Sequence, residues 1–433
     1  MSAEGAVRPP ADAAAYGVPS YRDLNVLRWL TGFGVSLLGD QVYFVALAWA
    51  AVQSTGARGT GLVLAVGSVP RLVLLLVGGA FVDRWGARRL MLGSDMLRGA
   101  VMAAAALIIA TSSPSLLVLV SVAVVFGVVD AMFLPAVGAL PQRLVAAEEL
   151  ARLQGMRMLV QRAAIVVGAP LGGATVAAFG VAAAFAVNAV SFGVSVLALA
   201  SVRLRPNPHL AGGAEQRNHA LLTDVRDGLR VVRRSALLRT ALLTAAVSEL
   251  GFSGPINVGV PLLVRDRGWQ AAGVGLIIGG FGAGAALAAL ALVVIGRLPR
   301  TGLAYAVLSL AMAAALAGIG YGPSRLWAVT AAVLLGAGGG VASAILLALV
   351  QAYTPAAYLG RAFSLSSLAS FGGIPVSYAM TGFAVDALDP RAAFAGGAAL
   401  AACGGLISLL TPALRRAELP DRKRPGRHPP GRE

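Results

Sequence analysis

The sequence predicts an all-α integral membrane protein with twelve transmembrane helices in two pseudo-symmetric six-helix bundles. Three observations predict it. Of 433 residues, 58% are hydrophobic and only 12% charged, about half the charged share of an ordinary soluble domain. The apolar residues fall into twelve runs, each near the roughly 20 residues that a helix needs to cross a bilayer. The longest polar stretch, 203–236, divides those runs six and six, as an internal repeat would.

In chain order, residues 1–24 are rich in Ala, Pro and charge. They lack the basic start and short apolar core of a secretory signal and are expected to form a disordered cytoplasmic tail. The first bundle, 25–202, holds spans 1 to 6 at 27–52, 59–82, 89–111, 114–140, 154–179 and 182–202. A basic cytoplasmic central loop, 203–236, follows. The second bundle, 237–413, holds spans 7 to 12 at 238–263, 271–296, 302–320, 326–352, 362–385 and 391–413. Residues 414–433 form a basic C-terminal tail.

Most of the 35 Lys and Arg residues fall on one side of this plan, with large groups at Arg203 to Arg239 and Arg415 to Arg432. The positive-inside rule makes that side cytoplasmic, so both termini are expected inside a multi-pass protein of the inner or plasma membrane. The net charge of +16 then faces anionic lipid headgroups, at about 1 kcal/mol per charge near the surface, and no nucleic-acid partner is expected. The chain is expected to be a monomer.

Several functions are excluded by what the residues lack. Lys423 is the single lysine, and a phosphate-binding Walker loop needs one behind a glycine-rich turn. ATP hydrolysis by this chain is therefore ruled out. His209, His219 and His428 lie in the loop and tail, which leaves the spans without a HExxH-type metal site. Cys403 is the one cysteine, so no disulfide forms within the chain, and a small buried apolar role is expected for it. No cofactor, metal or enzymatic activity is expected. The 54 glycines cluster within spans, at Gly275, Gly279, Gly280, Gly282 and Gly284 and again at Gly336 and Gly338 to Gly340. They are expected to form seams for close helix approach, because lipid supplies no hydrophobic push between helices.

Ionisable groups at bilayer depth cost about 2.5–3.5 kcal/mol each on insertion scales and point to function by default. Span 1 carries Asp40 beside Gln41 and Tyr43, and span 2 carries Arg71. Asp95 and Arg98 lie three apart on one face of span 3. Asp130 is in span 4, Arg162 in span 5 and Glu249 in span 7. An Asp95–Arg98 pair within one helix is expected to be structural. Asp130 with Arg162, and Asp40 with Arg71, are candidate neutralised pairs as well as candidate coupling groups. Glu249 has no cation in its own span, which suits a carboxyl that gains and loses a proton each cycle. Glu249 and Asp40, at matched depth in the two halves, are the first candidates for proton coupling. Tyr43, Phe44, Phe133 and Phe252 are candidate apolar walls of a substrate cavity.

Gly79-Ala80-Phe81-Val82-Asp83-Arg84-Trp85-Gly86-Ala87-Arg88-Arg89 joins spans 2 and 3. Gly79 and Gly86 permit tight turning, and Arg84, Arg88 and Arg89 supply positive charge. This GxxxDRxGxRR run resembles the signature loop of the major facilitator superfamily of secondary transporters. Several segments resemble its macrolide-efflux and enterobactin-exporter branch of drug:proton antiporters: GDQVYFVALAW, PRLVLLLVGGAFVDR, DAMFLPAVGALPQRLV, PINVGVPLLVRD and GRAFSLSSLASFGGIPVS. The chain departs from that pattern at Ala87, at Pro170 within Gly168 to Gly173, and at Asn188, where relatives often carry Arg, a differently placed Pro and Asp.

The resemblance implies the major facilitator fold, alternating access around a midplane cavity lined by spans 1, 4, 7 and 10, and export of an amphipathic small molecule in exchange for protons. Its alternatives are a dedicated exporter of a siderophore or other metabolite, then an uptake symporter or uniporter. It also implies a gating role for the loop, with Asp83 meeting the positive N-terminal end of span 11 near Gly360 and Arg361. The second copy of the loop would stand at Gly296 to Arg300, in eroded form.

Overall fold

A computed structural model describes residues 19–75, 78–204, 230, 232–296, 300–354 and 358–418. Every regular element among them is helical, and ten stretches are long and apolar enough to cross a membrane. Two of these are double. Leu24–Leu75 is broken at Gly56 (φ 69°) and Leu150–Ala200 at Gly180 (φ 82°), left-handed positions that a residue without Cβ adopts freely. Each break turns the chain back through the bilayer, so the ten stretches make twelve spans.

Spans 3 and 4 are Ala87–Thr111 and Leu116–Ala139. Spans 8, 9, 10 and 12 are Gln270–Ile295, Thr301–Tyr321, Arg325–Tyr353 and Pro390–Leu410. Polar caps set several starts: the side chains of Ser115, Ser235, Ser324 and Asp389 accept from backbone N–H groups three residues on, satisfying donors that the first helical turn leaves open.

Two spans are less regular than their hydropathy predicts. Span 7 runs as Ala236–Gly254, widens into a π-helical turn at Pro255–Gly259 and resumes as Val260–Asp266. Pro255 and Pro261 each remove a backbone donor there, and single π-turns inside helices often mark functional positions. Span 11 is split into Leu359–Phe371 and Ile374–Ala387 at Gly372 and Gly373.

Spans 1 to 6 pack together, as do spans 7 to 12, and the two bundles meet where spans 1 and 2 face span 11 and span 5 faces span 8. The described chain ends, near Ser20 and Ala417, share one face of the bundle with the end of span 6 near Leu204 and the start of span 7 near Ala236; we refer to it as the terminus face. Ser20 is tied down there, donating through its backbone and hydroxyl to Glu149, which also accepts from Arg152 at 2.8 Å. The Ser20 hydroxyl, then its backbone N–H, holds the Glu149 carboxyl below its ordinary range.

On the opposite face the bundles are fastened to each other. Arg58 pairs with Asp386 at 2.6 Å, and Arg265 of span 7 donates to the Val52 carbonyl of span 1. Gly61 lies against Gly382, and Gly173 against Ala272 and Gly275, so closely that a Cβ at either glycine would sit about 3 Å from the facing backbone.

The glycine seams form as the sequence predicts. At Gly336 a Cβ would collide with the Phe281 carbonyl, and at Gly284 with that of Val333. Gly336→Leu is expected to lower the apparent melting temperature and yield of the purified protein, at an overpacking cost of about 1–3 kcal/mol or more. Gly193 is exposed with nothing within 4 Å of a built Cβ, so Gly193→Leu should leave both unchanged; equal losses in the two variants would refute the seam. Cys403 departs from expectation, since it is exposed on the outside of span 12 rather than buried. Most of the basic loop and tail, with His209, His219, Lys423 and His428, lies outside the described residues.

Candidate functional site

Within the first bundle the buried charges gather on one guanidinium. Arg98 is completely buried. Its Nη2 donates to Asp95 Oδ1 at 2.5 Å one turn away, its Nη1 donates to Asp130 Oδ1 of span 4 at 3.1 Å, and Asp40 Oδ2 of span 1 lies 3.5 Å from Nη1. Ser195 of span 6 donates to the other Asp95 oxygen at 2.7 Å. The rings of Phe133 and Phe192 face the guanidinium, with centroids 4.2 and 4.6 Å from its central carbon, as favourable cation–aromatic contacts do.

The Asp95–Arg98 pair forms as its spacing suggests; the other two pairings differ. Asp130 meets Arg98 rather than Arg162, because span 4 presents it toward span 3 while span 5 turns Arg162 toward the second bundle. Asp40 meets Arg98 rather than Arg71, because the long Arg98 side chain reaches span 1 from span 3. Phe133 is a wall of this charge cluster and lines none of the three hollows found at the bundle interface and the turn between spans 2 and 3. Asp40 Oδ1 is buried without a hydrogen-bond partner among the described residues.

A cavity of about 340 Å³ lies between the bundles, lined by residues of spans 1, 2, 4 and 5 on one side and 7, 8 and 11 on the other. Gln41, Phe44, Arg71 and Asp130 face Asn257, Phe371 and Tyr378 across it. Tyr43 contributes only an edge: it is 1% exposed, its ring stacked on Phe126 at 4.1 Å. Arg71 sits over the Phe371 ring at 5.5 Å, and no acid among the described residues lies within ion-pair distance of it. Asp40 does not line the cavity. It stands behind Gln41 and connects to the cavity through Arg98 and Asp130.

A second cavity, about 190 Å³, runs from mid-depth toward the terminus face of the second bundle. Glu249 and Phe252 of span 7 line it with Phe281, Ser309 and Ser343, and Arg162 enters from the first bundle. Ser253, one turn on, donates to Glu249 Oε1. No ion pair of Glu249 or Arg162 is present among the described residues, so an acid and a cation from opposite bundles share one hollow without closing on each other. Residue spacing did not place Arg162 here, nor Asn257 and Tyr378 in the other cavity. The prolines on either side of Asn257 are the one sequence signal that marks its surroundings as irregular.

The turn between spans 2 and 3 is sharp. Helix Gly78–Trp85 ends at Gly86 (φ 79°) and span 3 begins at Ala87. Gly86 makes the turn, whereas Gly79 lies inside the helix. Arg88 donates to the Leu199 and Ala200 carbonyls at 3.3 and 2.6 Å, capping the end of span 6 as a cation at a helix C-terminus does. The side chains of Asp83 and Arg361, and much of the eroded second loop, lie outside the described residues. Span 11 begins at Leu359, close to the position the resemblance implies.

Comparison with known proteins adds to this geometry. The family model of the Major Facilitator Superfamily matches residues 29–377 and, in a second match, 241–432. The multidrug efflux pump Tap of Mycobacterium tuberculosis is 27% identical over 394 residues, 88% of this chain and 92% of the pump. The enterobactin exporter EntS of Escherichia coli is 26% identical over 399 residues, 92% of this chain and 93% of the exporter. Among solved structures, the nucleoside transporter NupG superposes with a TM-score of 0.68 at 13% identity, covering 89% of this chain and 98% of that one. Twelve spans in two bundles around shared cavities, and a family match along nearly the whole chain, identify it as a membrane transporter belonging to the major facilitator superfamily.

Proposed function

We propose that this chain exports an amphipathic small molecule across the cell membrane by alternating access, in exchange for protons, with both termini in the cytoplasm. One observation carries the reading: two cavities at the bundle interface each pair aromatic walls with an acid, Asp130 in one and Glu249 in the other. Such hollows suit a ligand with a large apolar surface and few polar groups. The names of the relatives, a multidrug efflux pump and an enterobactin exporter, support the outward direction.

The proton part rests on charge balance. In the first bundle one guanidinium offsets one carboxylate, and three are present, so ionising all of them leaves two uncompensated charges in a low-dielectric site. A proton held within the cluster relieves part of that excess. Glu249, held by the Ser253 hydroxyl and facing a hollow that runs toward the terminus face, is the group we assign to loading and release. Fastening on the opposite face and cavity space toward the terminus face fit a state loaded from the cytoplasm. Rocking of the bundles would then break the Arg58–Asp386 contact and turn the acids outward.

A dedicated exporter of a siderophore or other metabolite is the second reading, favoured by coverage of EntS as complete as that of Tap. Accumulation of ethidium and of macrolides in cells with and without the gene, with and without a protonophore, separates the two. Broad efflux is expected to lower accumulation of several unrelated compounds, with the difference erased by the protonophore. An effect unchanged by the protonophore removes proton exchange, and no change for any compound removes multidrug export.

A further inference from the structure

A third hollow, about 380 Å³, lies on the terminus face between the Gly78–Trp85 helix, span 3 and span 4, and belongs to neither cavity. Arg84 and Arg89 form its rim. Arg88, the remaining arginine of that turn, is occupied by the carbonyls of span 6. Arg84 and Arg89 are exposed, and no acid among the described residues lies within ion-pair distance of either.

Below the rim the hollow becomes an apolar groove. Gly93 and Leu97 lie on one face of span 3, and Met132 faces them from span 4. A Cβ built at Gly93 meets nothing within 4 Å, so the floor is open at that point rather than packed. Leu97 is 49% exposed and its neighbour Met96 62%, and the groove therefore runs out sideways onto the lipid-facing surface. Trp85, half exposed and stacked on Phe81 at 5.2 Å, stands beside the rim where interfacial aromatics collect.

We propose that this hollow is a binding site for an anionic phospholipid of the adjoining leaflet, its phosphate held by Arg84 and Arg89 and one acyl chain lying along the groove from Gly93 to Leu97. Two guanidiniums without a counter-charge among the described residues match a headgroup of net negative charge, through forked hydrogen bonds to its oxygens. A zwitterionic headgroup would bring its own cation to a rim that already has two. A free phosphate would leave the open apolar floor unused. The bound lipid would join the turn between spans 2 and 3 to the membrane surface, whatever molecule the protein transports.

Native mass spectrometry of the delipidated full chain, titrated with dioleoyl phosphatidylglycerol or dioleoyl phosphatidylcholine, tests the site. The wild type is expected to retain phosphatidylglycerol in preference to phosphatidylcholine. Arg84→Gln with Arg89→Gln should lower that retention about tenfold or more, given the worth of each charge near a headgroup. Gly93→Leu, which keeps both charges and fills the groove, should lower it too. Arg233→Gln with Arg234→Gln, removing two exposed charges from the same face, should not. Equal retention in the Arg84/Arg89 variant, or an equal loss in the Arg233/Arg234 variant, overturns the assignment. So does retention unaffected by Gly93→Leu, which removes the acyl groove. Displacement of phosphatidylglycerol by millimolar inorganic phosphate would mark a small-anion site instead, and equal retention of phosphatidylcholine an unselective groove.

Discussion

Replacing Arg98 with Met is expected to cost a large part of the protein's stability. Asp95 would then be buried at 0% exposure with no cation, and Asp130 and Asp40 would lose their only ion-pair partner among the described residues. Breaking a buried pair from one side costs about 3–5 kcal/mol, against a total stability of about 5–15 kcal/mol for an ordinary domain. The loss should appear as a collapse in monodisperse yield and a large fall in apparent melting temperature. Arg98→Lys should be intermediate, because an ammonium keeps the charge but cannot fork between Asp95 and Asp130. Arg98→Met combined with Asp95→Asn and Asp130→Asn should recover much of the stability, since buried ionic groups replaced together are often tolerated. If Arg98→Met alone melts like the wild type, the cluster is not held by ion pairing to the guanidinium.

Glu249→Gln is expected to do the reverse, sparing the fold and removing coupling. The amide is nearly the size of the carboxyl and can still accept from Ser253, so yield and melting should stay near wild type. Uphill transport driven by a proton gradient should fall to the level of empty vesicles, while exchange of labelled for unlabelled ethidium across the membrane continues. Asp40→Asn is expected to shift the pH dependence of transport less severely, because Asp40 reaches the cavity only through Arg98 and Asp130. If both variants left gradient-driven transport and its pH profile unchanged, neither acid would carry the proton.

The twelve spans were legible in the sequence because lipid imposes a length on every crossing helix, and no later packing alters that length. The turn at Gly56 was legible as the short polar gap 53–58, whereas that at Gly180 was legible only because the apolar run through it is too long for one crossing. The list of buried ionisable residues was legible for the same reason: charge is conspicuous in an apolar run. Their partners were not. Hydropathy gives a residue's depth but not the side of the helix it occupies, so Asp130 and Arg162, at similar depth on adjacent spans, looked like a pair although they face different neighbours. Arg98 spans three helices because its side chain is long, which no spacing rule within span 3 contains. Phe133 and Phe252 are similar aromatics in spans of similar composition, yet one backs the guanidinium and the other lines a cavity. The π-turn at Pro255–Gly259 had a sequence cue in the prolines on either side of Asn257, but the cavity it borders is completed by residues of the opposite bundle.

The exchange of a proton for substrate at Glu249 is tested most directly in proteoliposomes. With purified protein, ethidium inside and a pH-sensitive dye reporting proton movement, an imposed proton gradient should drive ethidium against its concentration gradient, and each substrate-driven flux should carry a matching proton signal. Glu249→Gln, correctly folded and inserted, should abolish that signal while leaving ethidium exchange intact. A proton signal of wild-type size in the Glu249→Gln vesicles would contradict the assignment.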